Sequence, residues 1–194
     1  MEAAQPVRTR RRGEDLLRAI RAAVLGELAE VGYGNLTREG VASRAGCGKA
    51  PLYRRWKTKD DMVLDAVRHG FPLRPSPVYS GNLRDDLLLV VRGMAAGLAG
   101  PYGSILRAVL GETHRRPALM TALHESIFDP RAADMRALLS AAAAAGEIRA
   151  EAVDSPAATL GPELVMFRFL TEGTPLPDTT LTEIVDDIVL PLLS

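Results

Sequence analysis

The segment LTREGVASRAGCGKAPLYRRWKTKDDM, residues 36–62, contains two short helical patterns with a glycine-rich break between them. Thr37 stands at an N-cap position before the first pattern, and the Gly-Cys-Gly sequence at 46–48 ends it. The second pattern runs from Lys49 to Trp56. Two short helices joined by a glycine-containing turn of about three residues are typical of a helix-turn-helix. The spacing therefore predicts this motif.

The second helical pattern has an apolar face and a basic face. Leu52 and Trp56 are four residues apart and predict its buried stripe. Two more pairs at this spacing, each with one small residue and one arginine, lie on the opposite side: Ala50 with Arg54, and Pro51 with Arg55. Such a face lets a helix approach base edges while its guanidinium groups reach phosphates or guanine. A solvated basic face is the ordinary alternative, but the turn spacing and the flanking lysines favour nucleic-acid binding.

Helical periodicity continues on both sides of this motif. Residues 14–31 place five apolar side chains on one predicted face: Leu16, Ile20, Val24, Leu28 and Val31. The proline-containing stretch 70–81 predicts a loop, and hence an N-terminal domain of residues 1–69 and a C-terminal domain of residues 70–194. Further helical runs are predicted at about 82–99, 102–115, 117–145, 156–172 and 179–193, without an alternating strand pattern. The sequence therefore predicts an all-α protein.

Charge is distributed unevenly along a chain whose formal net charge is zero. Residues 1–69 carry 14 Lys/Arg and 9 Asp/Glu, whereas residues 70–194 carry 10 and 15. A basic N-terminal part and an acidic C-terminal part predict that only the first meets a polyanion.

Several classes of protein are disfavoured by the sequence. It has no apolar run long enough for a transmembrane helix and no apolar segment of a secretory signal, so no membrane association is expected. A single cysteine, Cys47, predicts a reducing, cytoplasmic location. The three histidines are scattered, and no metal-binding or phosphate-binding motif accompanies them. We therefore expect no metal, no cofactor and no enzymatic activity.

The run ASRAGCGKAPLYRRWKTKDDMVLDAV, residues 42–67, resembles the DNA-binding domain of the TetR (tetracycline-repressor) family of bacterial transcriptional regulators. That family shows an Ala-x-x-Ala-Gly-Val turn, a Leu/Ile-Tyr-x-x-Trp/Phe helix core and Ser-Lys before the next helix. Cys47 replaces the usual Val and Thr58 the usual Ser; the residues that match are Ala42, Ala45, Gly46, Leu52, Tyr53, Trp56 and Lys59. More loosely, residues 161–189 resemble the last two helices of the family's ligand-binding domain.

The resemblance implies roles for individual residues at DNA. Those implied to face the bases are Lys49, Ala50 and Pro51. Those implied to hold phosphates are Thr37, Arg38, Tyr53, Arg55 and Lys59, while Arg54 suits either role. The basic arm at residues 8–12 is either a disordered tail or a further groove or backbone contact.

The C-terminal helices carry a continuous apolar stripe that must be buried. Burial within the domain is one interpretation; the resemblance favours a four-helix homodimer interface built from helices 156–172 and 179–193, which would match a palindromic operator on double-stranded DNA. The interface residues predicted on this basis are Leu160, Leu164, Phe167, Leu181, Ile184, Val185 and Ile188.

Apolar residues of the predicted helices between positions 94 and 128 form either a core or a ligand cavity. The resemblance implies a small-molecule pocket, and the scarcity of charge favours a hydrophobic effector. The tentative pocket residues are Met94, Leu98, Tyr102, Leu106, Val109, Leu123 and Phe128.

The predicted function is a sequence-specific DNA-binding transcriptional regulator, a repressor that a small effector releases from its operator. The alternative is a helical ligand carrier or adaptor whose helix-turn-helix no longer binds DNA. An electrophoretic shift of duplex DNA that weakens as salt rises would favour the regulator, whereas a ligand carrier or adaptor would give no shift.

Overall fold

The structure, a computed structural model, describes residues 13–71 and 79–194. It divides into two compact units, Met1–Phe71 and Pro72–Ser194. The residues described form helices and loops without a strand, as the all-α prediction requires. The basic arm at residues 8–12 and most of the proline-containing stretch lie outside the described residues.

Residues 13–71 of the N-terminal unit contain four helices: α1 (Glu14–Asn35), α2 (Arg38–Ala45), α3 (Ala50–Arg55) and α4 (Lys59–Gly70). The helical conformation of α1 is interrupted at Gly32, whose φ of 73° favours glycine. α1 packs on both α2 and α4. Its buried stripe is rotated slightly from the predicted one, because Leu17 is buried whereas Leu16 and Val31 are only half-buried. The side chains that fill this core from the other helices include Val41, Leu52, Trp56, Met62, Val63 and Val67.

Local caps fix the lengths of α2 and α4. The Thr37 hydroxyl accepts the N–H of Gly40 at 3.0 Å and starts α2. Gly46, in the left-handed region with a φ of 66°, ends α2 and lets the chain turn toward α3. Thr58 and Asp61 form a capping box at the start of α4, with bonds of 3.0 and 2.9 Å. These caps set where α3 begins and ends relative to its neighbours.

The C-terminal unit is a helical assembly in which α5 packs against the helices at the end of the chain. A π-helical turn, His124–Phe128, joins α7 to α8, so the Asp129-Pro130 sequence begins α8 without a break in the helix. A second π-helical turn, Ile184–Val189, joins α10 to α11. The helices are α5 (Leu83–Leu98), α6 (Pro101–Leu110), α7 (Pro117–Leu123), α8 (Asp129–Ala144), α9 (Ala157–Thr171), α10 (Asp178–Glu183) and α11 (Leu190–Leu193), with a 3₁₀ turn at Ala150–Asp154.

Polar contacts tie α5 to its surroundings. Asp86 is buried and accepts bonds from the Ser80 N–H and hydroxyl and from the Gly81 N–H, at 2.7 to 3.0 Å. Arg84 binds both carboxylate oxygens of Asp186 at 2.7 Å. No single helix within residues 13–71 and 79–194 has both the length and the apolarity to cross a membrane; α5 and α6, which meet at a 79° bend, pass that test only when taken together.

Candidate nucleic-acid interface

The recognition helix α3 presents the two faces that its sequence predicts. Leu52 is fully buried and Trp56 nearly so, which confirms the inner face. On the outer face Ala50, Arg54 and Arg55 are exposed, and Pro51 is half-buried. The outer face therefore presents small side chains to solvent at the start of the helix and basic side chains at its end.

The basic end of α3 borders an open surface pocket of about 610 Å³, lined by Arg54, Arg55, Trp56 and Asp65. Within the described part of the chain, neither arginine makes an ion pair or a side-chain hydrogen bond. Asp65 is already held by Arg21, whose Nε and Nη2 donate to it at 2.9 and 3.0 Å. Partial burial acts to raise the pKa of Asp65, but the hydrogen bonds and charge of Arg21, with smaller effects from the charges of His69 and Arg55, lower that pKa overall. The guanidinium groups of Arg54 and Arg55 are therefore available to an outside anion.

Lys49, at the N-cap of α3, is exposed and paired. Its Nζ lies 2.9 Å from Oε1 of Glu39, the second residue of α2. The hydrogen bond between them lowers the pKa of Glu39 and raises the pKa of Lys49. Sequence reasoning identified Lys49 as a site residue, whereas Glu39 was not among the predicted site residues. Nothing in the local sequence signals that the two side chains meet.

Arg38 and Tyr53 form a stacked pair beside α3. The Arg38 guanidinium lies 4.5 Å from the centre of the Tyr53 ring. Its Nη2 donates to the carbonyl oxygens of Trp56 at 3.0 Å and Lys57 at 2.6 Å. Tyr53 itself is 53% exposed. Both Nη2 hydrogens of Arg38 thus bond carbonyl oxygens at the end of α3, and its guanidinium stacks on the Tyr53 ring; the phosphate contact expected for Arg38 stays a prediction.

Lys59 is also used inside the unit. Its Nζ donates to the carbonyl oxygens of Tyr33 at 2.6 Å, and of Gly34 and Leu36 at 3.2 Å. An ammonium has three hydrogens, and all three are taken. Lys59 therefore caps the C-terminal end of α1 in this structure, and the phosphate contact expected for it stays a prediction. Thr37 is exposed. Its cap uses only the hydroxyl oxygen, as an acceptor, so the hydroxyl hydrogen is available as a donor.

The predicted dimer interface divides into an inner and an outer set. Three of its residues are buried inside their own unit. These are Leu181, Ile184 and Val185, which are 4%, 3% and 1% exposed, respectively. Their assignment to an interface is wrong, because side chains packed in the core cannot reach a second chain. Leu160 and Leu164 are half-buried. The exposed apolar side chains of these elements, two of which the sequence analysis missed, are Phe167, Leu170, Ile188 and Leu192.

The predicted pocket residues lie mainly in the core. Leu98, Leu106, Val109 and Leu123 are almost completely buried, which matches the core interpretation that the sequence left open. Met94, Tyr102 and Phe128 are half-buried. Phe128 meets the His124 ring edge to face, with the ring centres 5.3 Å apart. Of the seven predicted pocket residues, these three are the ones with appreciable exposed surface.

Comparisons with known proteins match the N-terminal and the C-terminal parts of the chain to one family. Residues 20–66 match the family of bacterial regulatory proteins called the tetR family, and residues 77–188 match the tetracyclin repressor-like C-terminal domain. An uncharacterized HTH-type transcriptional regulator of Mycobacterium tuberculosis is 37% identical over 89% of this chain and 85% of its own. The DNA-binding transcriptional repressor TetR of Mycobacteroides abscessus is 29% identical over 94% of this chain and 96% of its own. The crystal structure of the TetR family regulator SCO0332 superposes with a TM-score of 0.66 at 27% identity, covering 91% of this chain and 97% of that one.

Proposed function

Because the chain belongs to the tetR family of bacterial regulatory proteins, we propose that it is a repressor that binds a palindromic operator as a homodimer and is released by a small hydrophobic effector. The chain is a DNA-binding transcriptional regulator of the helix-turn-helix type. Its operator, its partner copy and its effector are the parts that we propose here. We also propose a cytoplasmic location, because the proposed operator lies on a bacterial chromosome.

The outer face of α3 carries the DNA-binding proposal. Arg54 and Arg55 are exposed and make no ion pair among the described residues, and they lie at the end of a helix that starts with small residues. We assign base contacts to Lys49, Ala50 and Pro51, because a helix with a small-residue start can approach base edges closely. We assign phosphate contacts to Thr37, Tyr53 and Arg55, with Arg54 on either phosphate or guanine.

Two observations support a homodimer. A single short recognition helix contacts too few base pairs to be selective, whereas two helices related by a two-fold axis contact two half-sites. In addition, α9 and the helices at the end of the chain pack together and leave large apolar side chains in solvent, with Phe167 61% exposed. Exposed apolar side chains on neighbouring helices are typical of a protein interface.

Support for a repressor and for an effector is more indirect. The Mycobacteroides abscessus relative, at 29% identity, is a DNA-binding repressor. The C-terminal unit matches the family's C-terminal domain, and Met94, Tyr102 and Phe128 provide apolar surface that a ligand would contact. An effector releases DNA only if it binds the DNA-incompetent conformation more tightly, and operator DNA must then weaken effector binding by the same factor.

Selection of bound duplexes from a random pool tests this function. We expect enrichment of an inverted repeat whose half-site centres are about 10 bp, or a multiple of it, apart. Binding of the selected duplex should weaken steeply as salt rises, because phosphate contacts release counterions. Enrichment of no sequence would contradict the proposed function, and enrichment of a site without two-fold symmetry would contradict the homodimer.

A further inference from the structure

A negative charge lies on the surface that is proposed to face DNA. The Glu39 carboxylate and the Lys49 ammonium are 2.9 Å apart, and their side chains are 52% and 58% exposed. A carboxylate at such a surface repels the phosphates of every duplex and so lowers affinity for all sequences alike. An acid is favoured in the first turn of a helix, where Glu39 lies in α2. That preference does not explain why the Glu39 carboxylate bonds Lys49, the residue proposed to contact a base.

The pair is a stable donor and acceptor rather than two independent charges. The hydrogen bond from Lys49 and the charge of its ammonium lower the pKa of Glu39. The same bond raises the pKa of Lys49. Both side chains are therefore ionised at neutral pH, and together they carry no net charge. The attraction and hydrogen bond within the pair offset part of the cost of desolvating the two charges at a base edge.

The geometry of this pair matches the major-groove edge of one base pair. In a G·C pair, guanine presents O6 and N7 as acceptors and cytosine presents an N4–H donor. O6 and N4 are joined by a Watson–Crick hydrogen bond, so they lie about 2.9 Å apart. Nζ of Lys49 and Oε1 of Glu39 have the same separation. An ammonium on guanine therefore places the bonded carboxylate opposite cytosine N4, and its three hydrogens serve O6, N7 and Glu39.

An A·T pair is a poorer match for the same two side chains. Its edge places the adenine N6 donor between two acceptors, adenine N7 and thymine O4. A carboxylate on N6 then lies beside O4, where two acceptors repel, and the ammonium keeps one acceptor instead of two. The difference in hydrogen bonding favours G·C.

We propose that Glu39 and Lys49 act as one unit that selects a G·C pair in the operator, with Lys49 on guanine and Glu39 on cytosine. This inference rests on the proposed function, because it requires Lys49 to face the bases. Glu39 is thus a specificity-determining residue: it holds the ammonium away from neighbouring phosphates and contacts the second base of the pair itself.

Modified bases in the selected duplex test each contact at the level of single atoms. At each G·C position, N4-methylcytosine removes the free N4–H, and 7-deazaguanine removes N7, while Watson–Crick pairing is kept. At one position per half-site we expect N4-methylcytosine to weaken binding of the unmodified protein about fivefold or more and to leave binding by Glu39→Ala unchanged. At the same position, 7-deazaguanine should weaken the unmodified protein and Glu39→Ala but not Lys49→Ala.

A charge control completes the design. Glu39→Ala should bind unrelated duplex more tightly than the unmodified protein, because a repulsive charge is gone. Glu14→Ala removes an exposed acid from the first turn of α1. It should change neither the affinity for unrelated duplex nor the effect of N4-methylcytosine on binding. Circular dichroism at equal concentration shows that each variant is folded.

The outcomes separate the two proposals. If a sequence is selected but N4-methylcytosine at every G·C position affects the unmodified protein and Glu39→Ala equally, the paired unit is overturned while DNA recognition stands. If Lys49→Ala leaves sensitivity to 7-deazaguanine unchanged, the base contact of Lys49 fails and the unit fails with it. If no sequence is selected at all, it is the proposed function that has failed.

Discussion

The recognition helix α3 and the terminal segment, residues 178–193, both place apolar side chains against a core, but they differ in how clearly their sequences define the outer face. In α3 the inner residues Leu52 and Trp56 are apolar and the outer residues Arg54 and Arg55 are charged. In the terminal segment apolar residues stand on both sides, since Val185 is buried and Ile188 is exposed.

The difference follows from what each surface has to bind. A surface for a polyanion must be polar and basic, so chemical type alone separates it from a core. A surface for a second copy of the chain resembles the core in composition. The π-helical turn at Ile184–Val189 adds to the ambiguity, because its hydrogen bonds span five residues and shift side-chain directions from the regular helical period.

The largest effect is expected from a charge on the inner side of the terminal segment. Val185→Asp buries a carboxylate with no partner, and we expect a loss of about 4 kcal/mol or more in the free energy of unfolding. Urea denaturation at a fixed protein concentration measures it. Ile188→Asp is the matched control on the outer side and should keep a folded unit. Equal destabilisation by both variants would remove the distinction between the two sides.

The next effect concerns the outer apolar residues. The double variant Phe167→Glu with Ile188→Glu should sediment as a folded monomer at micromolar concentration. Its affinity for a palindromic duplex should fall about 10²–10⁴-fold, because the two half-sites are no longer bound by one assembly. Leu89→Glu changes an exposed leucine of α5 and serves as the control. A monomeric unmodified protein, or a double variant that still forms dimers, would refute this interface.

A smaller effect is expected at the basic end of α3. Arg55→Ala should weaken binding to all duplexes by a similar factor, about tenfold for one charge-assisted hydrogen bond. The slope of log affinity against log salt should become shallower by about 0.9 for each lost phosphate contact in each subunit. Arg18→Ala, an exposed arginine of α1, should leave the slope unchanged. A change in site preference instead of a uniform loss would assign Arg55 to a base.

The smallest effect separates positioning from DNA contact at Lys59. Lys59→Met removes the donor to three carbonyl oxygens at the end of α1, and we expect a loss of about 1–2 kcal/mol in unfolding free energy. The salt slope measured for the folded variant should stay close to that of the unmodified protein. Unchanged stability combined with a shallower slope would restore Lys59 to the phosphate contacts that the family resemblance implies.

The sequence by itself determined the features that depend on neighbours along the chain. Helical period, caps such as Thr37 and Thr58, and the glycine turn at 46–48 act over three or four residues, and so the helix-turn-helix and the two faces of α3 were predictable. A family resemblance added roles for single residues, which local patterns do not supply.

Only the tertiary structure decided which side chains meet across space. Lys59 bonds carbonyls 23 to 26 positions earlier, and Lys49 bonds an acid ten positions earlier in another helix. Ile184 and Ile188 have the same side chain, yet packing of α9 against the terminal segment buries the first and leaves the second partly exposed. A local pattern states that a side chain is apolar or charged; its partner depends on how the helices pack, because that packing brings distant residues within contact distance.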